Sequence, residues 1–199
     1  MDSDLADAVD ALKAIFKRRK IDCAFDKAQP TLVDDLKKKL RLPPRFRAFL
    51  LGANPIRVET QTPVEKIRLI PADELEKAQL TVTAPVEGSV VLADWKPSWV
   101  VIGESSLLGD PYFLDVSKPD PEGDCPVYTS MRGPDRWKQP TLAASSFAQF
   151  LRIVTTAMEI ADGFGDAIMD DEDEDSFREA LAPKVKVIDP AALRAGHWN

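Results

Sequence analysis

The sequence is poor in the residues that build covalent or metal-linked frameworks. It contains two cysteines and a single histidine among 199 residues. Cys23 and Cys125 are far apart and neither belongs to a Cys-x-x-Cys pair, whereas disulfide frameworks and zinc sites need clustered ligands. The lone His197, close to the C-terminal end, also argues against a Ser–His nucleophile. We therefore expect no disulfide, no Cys/His metal site and no cofactor.

Long apolar stretches are also missing. No run approaches the ~18 apolar residues that a membrane span requires. The acidic opening Met1–Asp4 has no apolar segment of the kind found in secretory signals. We therefore expect a soluble, cytoplasmic protein without membrane contact.

Positive charge is in short supply. The chain has 26 Lys and Arg against 33 Asp and Glu, which gives a net charge of −7 and a pI near 4.9. Such a chain lacks the electrostatic footprint for nucleic acid, so we predict no direct contact with nucleic acid. The charge suits a basic protein partner, although charge that only aids solubility is the alternative.

The segment from Trp95 to Tyr128 contains the clearest strand pattern. Short runs rich in β-branched and aromatic residues lie between Gly, Asp, Ser and Pro at Trp99–Gly103, Pro111–Val116 and Pro126–Thr129. The pattern predicts an antiparallel meander in the middle of one sheet. Trp99 begins the most β-like run, and we predict that it is a buried anchor of the sheet. Since no nucleophile–base pair or phosphate loop lies here, the segment is typical of a platform.

Helical spacing of apolar residues predicts several helices. The first is capped by Asp2 or Ser3, and a long one near the end of the sheet region is capped by Ser145 or Ser146. Another is expected to have Thr31 as its N-cap, and the helix from Pro44 is expected to end at Gly52 in a left-handed conformation. Near the C-terminus we expect a short helix from about Ser176 and a strand at Val185–Ile188.

Carboxylates are the one remaining source of enzymatic chemistry. Asp110 and Asp115 flank a predicted strand, but at five residues apart they point to opposite faces of it. The acidic run Asp170–Asp175 lacks the glycine and the ligand spacing of an EF-hand loop. We interpret this run as a solvated linker or a protein-binding acidic patch.

Five short motifs, in the same order along the chain, resemble the SUKH superfamily. The segment Leu40–Leu50, with the sequence L-R-L-P-P-R-F-R-A-F-L, is similar to the family opening. The later motifs are Trp99–Gly103, Gly109–Asp115 (G-D-P-Y-F-L-D), Pro126–Tyr128 (P-V-Y) and Ser145–Leu151 (S-S-F-A-Q-F-L). The resemblance covers about residues 30–155. It departs from the family pattern at Pro55, where a glycine is usual, and in the long Pro-rich loop after Asp115.

The resemblance implies a fold and a function class. The superfamily includes yeast cell-wall synthesis regulators and many bacterial immunity proteins, so it implies an α+β domain with helices packed on an antiparallel sheet and no catalysis. We divide the chain into an N-terminal helix (1–29), a SUKH-like α+β domain (30–162) and an acidic C-terminal extension (163–199). The implied partner is a toxin that the protein binds and neutralises, and a regulatory or scaffolding module of the same fold is the alternative.

We predict that carboxylates contact a basic toxin domain, such as a nuclease, by imitating nucleic acid charge. The candidate partner-binding residues are Glu104, Asp110, Asp170, Asp171, Glu172, Asp173, Glu174 and Asp175. If the acidic run is only a linker, Glu104 and Asp110 at the ends of the sheet remain as candidates.

Overall fold

The computed structural model describes residues 1–83, 95–131, 137–164 and 171–199. The helices are α1 (Ser3–Arg19), α2 (Pro30–Leu40), α3 (Pro44–Ala53), α4 (Leu75–Thr83), α5 (Phe147–Ala161), α6 (Asp171–Ile188) and α7 (Pro190–Ala195). The strands are β1 (Ala24–Asp26), β2 (Asn54–Ile56), β3 (Ile67–Leu69), β4 (Trp99–Ser105), β5 (Pro111–Asp115), β6 (Val127–Thr129) and β7 (Thr141–Ala144). The predicted α+β class is confirmed.

Five strands form one antiparallel sheet in the order β3-β4-β5-β6-β7, and β1 pairs with β2 in a small second sheet. The predicted meander is its centre: Trp99 lies opposite Asp115, and Phe113 lies opposite Tyr128. Consecutive strands are neighbours in the sheet, so the sheet order follows the chain order, and α4 lies in the long connection between β3 and β4.

Helices cover one face of the sheet. Along β4 and β5, alternate residues such as Val100, Tyr112 and Leu114 point towards this face, because successive strand residues point to opposite sides. They share one hydrophobic cluster with the buried sides of α1, α3 and α5. This cluster is the main core of the protein.

Aromatic side chains cover the opposite face. Trp99, Phe113 and Trp137 form a second cluster, and Trp95 and Tyr128 pack against it. The ring centroids of Trp99 and Phe113 lie 4.7 Å apart. Trp99 is 3% exposed, so it occupies the predicted position in the sheet core.

A side chain of helix α4 supplies hydrogen bonds to the part of β4 that does not pair with β3. The amide nitrogen of Gln79 donates to the carbonyl oxygen of Trp99 (3.1 Å), and the amide oxygen of Gln79 accepts from the N–H of Val101 (3.0 Å). A side-chain amide thus takes the place of a neighbouring strand and satisfies two backbone groups that would otherwise lack a partner in the ladder.

The predicted helix starts agree with the structure in two cases. Asp2 caps α1 by accepting from the N–H of Leu5, and Ser146 caps α5 by accepting from the N–H of Gln149. The N-cap predicted at Thr31 is wrong by two residues, because Gln29 is the N-cap of α2 and Pro30 occupies its first helical position. Proline suits this position, since its missing N–H would have no partner there.

Two predicted conformations are wrong. Gly52 lies inside α3 without a positive φ, and the chain passes from α3 through the extended residue Asn54 directly into β2. Val185–Ile188 is not a strand but the end of α6. The buried residues Phe177, Leu181 and Val185 recur every four positions and define the inner side of this helix. Burial of this apolar side outweighs the strand preference of the β-branched residues at Val185–Ile188.

Candidate functional site

The hairpin between β4 and β5 presents two leucines to solvent. Leu107 is 50% exposed and Leu108 is 60% exposed. The hairpin is closed by hydrogen bonds from the Ser105 N–H to the Asp110 carbonyl and from the Gly109 N–H to the Ser105 carbonyl, each 2.7 Å long. Gly109 has φ +69°, which a residue with a side chain adopts less readily. The leucines are therefore held in place by a well-bonded turn.

Charged side chains surround a surface groove beside this hairpin. The groove has a volume of about 300 Å³ and is lined by Arg57, Glu59, Arg68, Leu69, Pro71 and Glu74. Arg68 forms ion pairs with Glu74 and Glu104, both 2.9 Å. Burial works against the charge of the Arg68 guanidinium, but hydrogen bonds from Arg68 to these two carboxylates raise its pKa overall.

Of the two sheet-end candidates, only Glu104 is accessible. Its side chain is 40% exposed. Asp110 is 5% exposed and lies within the fold, so it is not part of the outer surface on which we expected it. The cause is the turn itself, which directs residues 106–109 outward and returns the chain to the core at Asp110.

The acidic run is helical over most of its length. Asp170 lies outside the described residues, whereas Asp171, Glu172, Asp173, Glu174 and Asp175 belong to the start of α6. Acidic residues at a helix N-terminus are favoured by the positive end of the helix dipole. Asp173 and Asp175 are exposed, and Glu174 forms an ion pair with Arg178 at 2.8 Å. For these five residues, the prediction of a linker is wrong.

A half-buried polar cluster lies where the C-terminal end meets the sheet, and the sequence did not indicate it. The hydroxyl of Tyr112 is 2.8 Å from His197 Nε2, and a carboxylate oxygen of Glu65 is 3.5 Å from the same nitrogen. The guanidinium of Arg178 donates to the His197 carbonyl at 3.3 Å. These four residues come from β5, the segment before β3, the C-terminal end and α6, so their spacing along the chain gives no signal.

Burial dominates the electrostatics of this cluster. It raises the pKa of Glu65, and together with the nearby Glu65 carboxylate it raises the pKa of Tyr112 well above the usual value. Burial and the charge of Arg178 lower the pKa of His197 to about 4. The histidine is therefore neutral at pH 7.

The cavity at this cluster is small. Its volume is about 20 Å³, and its lining includes Glu65, Phe177 and His197. A cavity of this size holds about one water molecule, whereas small-molecule sites usually measure about 300–1,000 Å³. The cluster therefore serves to anchor the C-terminal end and has no room for an organic substrate.

A buried carboxylate joins two of the sequence motifs. Asp124, 1% exposed, accepts hydrogen bonds from the N–H groups of Phe147 (2.9 Å) and Ala148 (3.1 Å) at the start of α5. Arg45 of the Leu40–Leu50 motif donates to it at 3.4 Å. Burial raises the pKa of Asp124, while these hydrogen bonds and the charge of Arg45 act in the opposite direction. The carboxylate thus ties α3 and α5 to the loop before β6.

We expect Asp124→Asn to lower the free energy of unfolding by about 1.5–3 kcal/mol, because it weakens several hydrogen bonds to a buried charged group. Urea unfolding followed by circular dichroism measures the change. Glu122→Gln is the matched control, since Glu122 is exposed in the same loop and its substitution should change stability by less than ~0.5 kcal/mol. Equal midpoints for the two variants would contradict this role.

In the described part of the chain, no three His, Cys, Asp or Glu side chains lie close enough together to hold a metal ion. Within the same residues, no helix has the length and apolar character needed to cross a membrane.

The fold defines a class of protein: an α+β domain in which helices cover one face of an antiparallel meander. A family model described as SMI1 / KNR4 family (SUKH-1) matches residues 27–153, and the chain belongs to this family. The resemblance based on the Leu40–Leu50 motif is thereby confirmed. A search of the curated proteins gives no match.

Proposed function

We propose that this protein is a non-catalytic bacterial immunity protein that binds and neutralises a cognate polymorphic toxin. Membership of the SUKH-1 family carries the proposal, since many bacterial proteins of this kind are similar to immunity proteins. The net charge of −7 supports a basic toxin domain, such as a nuclease, as the partner. We place the complex in the cytoplasm.

We propose that the contact surface combines apolar anchors with acidic residues around them. Leu107 and Leu108 are the proposed anchors, and Glu104 and the exposed acids of α6 are the proposed charges. Charges at the rim of an interface mainly accelerate association, whereas buried apolar contacts set the lifetime of the complex. We therefore expect changes to the acidic residues to alter the association rate, and changes to the two leucines to alter the dissociation rate.

The function is tested by co-expression with the product of the neighbouring gene, which the proposal expects to be the toxin. If the proposal is right, cells that express the toxin alone stop growing, and cells that also express this protein grow. The purified pair should then form a stoichiometric complex in size-exclusion chromatography. Growth arrest that this protein does not relieve, with no complex formed, would refute the proposal for that toxin.

We expect Asp173→Asn/Asp175→Asn to slow association with the toxin domain by about threefold to tenfold at low salt, because the electrostatic attraction is weakened. The difference from the wild type should shrink as salt is added. Stopped-flow or surface plasmon resonance at two salt concentrations measures it.

Asp7→Asn/Asp10→Asn is the control for this experiment, because it also removes two charges from exposed positions of a helix. It makes the net charge less negative by the same amount but changes α1 instead of α6. Equal association rates for the two double variants would show that the acidic run of α6 has no specific part in binding.

A regulatory or scaffolding module of the same fold is the second candidate. The resemblance to yeast cell-wall synthesis regulators favours it. Such a module would bind a partner without relieving any toxicity, so the growth assay separates the two functions.

A further inference from the structure

The last residues of the chain return into the core after α7. The helix ends at Gly196, which has φ +92°, and this turn directs His197 and Trp198 inward. Trp198 is 6% exposed, and its indole N–H donates to the carbonyl oxygen of Ala143 in the outer strand β7 at 2.7 Å. We call residues 196–199 the C-terminal latch.

His197 contacts charged or titratable groups from each element around it. Tyr112 of β5 and Glu65 of the segment before β3 face its ring, and Arg178 of α6 bonds its carbonyl oxygen. Asp110, at the start of β5, adds a negative charge that acts on both Tyr112 and Glu65. The His197 side chain, 18% exposed, is thus largely enclosed by these groups and lies close to the positive charge of Arg178.

We propose that the C-terminal latch is a pH-sensitive device, in which protonation of the single histidine releases Trp198 from β7. A charged imidazolium in this site loses its hydration and is repelled by Arg178, whereas in the open state water surrounds it. Protons therefore favour the open latch. The rest of the fold stays intact, because the latch contributes only the last four residues.

The direction of the pH dependence follows from the difference between the pKa of His197 in the closed latch and its pKa in the open latch. The pKa of His197 is lowered from 6.5 to about 4 in the closed state and returns to the ordinary value when the latch opens. Opening therefore takes up a proton between these pH values. For the histidine alone, the opening equilibrium rises by up to about tenfold per pH unit, by roughly 80-fold as the pH falls from 6.5 to 4, and by roughly 300-fold over the whole titration.

Glu65 acts in the opposite direction. Its pKa is raised by burial in the closed state, so opening releases a proton from Glu65 at pH values above 4.5. Glu65 thereby offsets part of the uptake by His197 and keeps the latch closed during mild acidification. Replacing Glu65 by Gln should remove this offset and make the pH dependence steeper.

Hydrogen exchange of the Trp198 indole N–H tests the proposal in the full-length protein. After correction for the intrinsic exchange rate, we expect its protection in the wild type to fall as the pH is lowered from 6.5 to 4. The fall should be larger in Glu65→Gln and absent in His197→Gln. The Phe113 amide in the central strand β5 is the internal control, and its protection should not follow that of the indole.

Three results would overturn the proposal. The first is the same pH dependence of indole protection in the wild type and His197→Gln. The second is a parallel loss of protection at Phe113, which would mean global unfolding. The third needs no variant: as the chain has one histidine, its NMR titration is unambiguous, and an apparent pKa near 6.5 in the intact protein would exclude the device.

Discussion

A chain that ends at Asp162 is expected to lose its cooperative fold. Such a chain lacks five side chains that belong to the main hydrophobic cluster, namely Phe177, Leu181, Val185, Ala192 and Trp198. Burying each of the four larger ones contributes about 1.5–3 kcal/mol, or about 6–12 kcal/mol together. This is comparable with the ~5–15 kcal/mol by which whole domains are stable. Calorimetry and circular dichroism of the shortened protein measure the loss.

The result also tests the division of the chain at residues 162 and 163, which remains a prediction. If residues 163–199 are a separate extension, the shortened protein will unfold cooperatively with a midpoint close to that of the full chain. The control is Val187→Ala in the full-length protein. Val187 is 84% exposed on α6, so its truncation should change stability by less than ~0.5 kcal/mol.

Trp99→Ala should lower the free energy of unfolding by about 3–5 kcal/mol, the usual cost of truncating a buried tryptophan. The ring lies within 4.7 Å of Phe113 and 5.3 Å of Trp95, measured between centroids, so its removal leaves a large gap in the aromatic cluster. Urea unfolding measures the change.

Lys96→Ala is the control for this substitution. The Lys96 ammonium lies 5.1 Å from the Trp99 ring, and losing this cation–π contact costs about 0.5–1 kcal/mol. If the two variants lose equal stability, Trp99 is not an anchor of the sheet.

The site was only partly predictable from the sequence. Glu104 could be placed at the end of a strand by alternation, and the structure leaves it accessible. Asp110 has the same charge and lies in the same hairpin, but the closing hydrogen bond between Ser105 and Asp110 returns the chain to the core there. Sequence patterns describe which residues flank a strand, and they do not tell how deep a turn residue lies.

The exposed leucines were missed for a related reason. An apolar pair inside a strand-rich segment is typical of the core, so the sequence did not indicate that Leu107 and Leu108 lie on the surface. The hydrogen-bonded turn that exposes them is visible only when its partners are known.

The sequence by itself determined the meander and the family, and it narrowed two helix caps to Asp2 or Ser3 and to Ser145 or Ser146. These features depend on residues close together in the chain, where alternation, side-chain capping and turn residues act locally. Only the tertiary structure decided the parts that join distant residues. Asp124 bonds the start of α5 from 23 residues away, and Tyr112 meets His197 across 85 residues. Such contacts depend on how the helices pack on the sheet, and no local pattern records that packing.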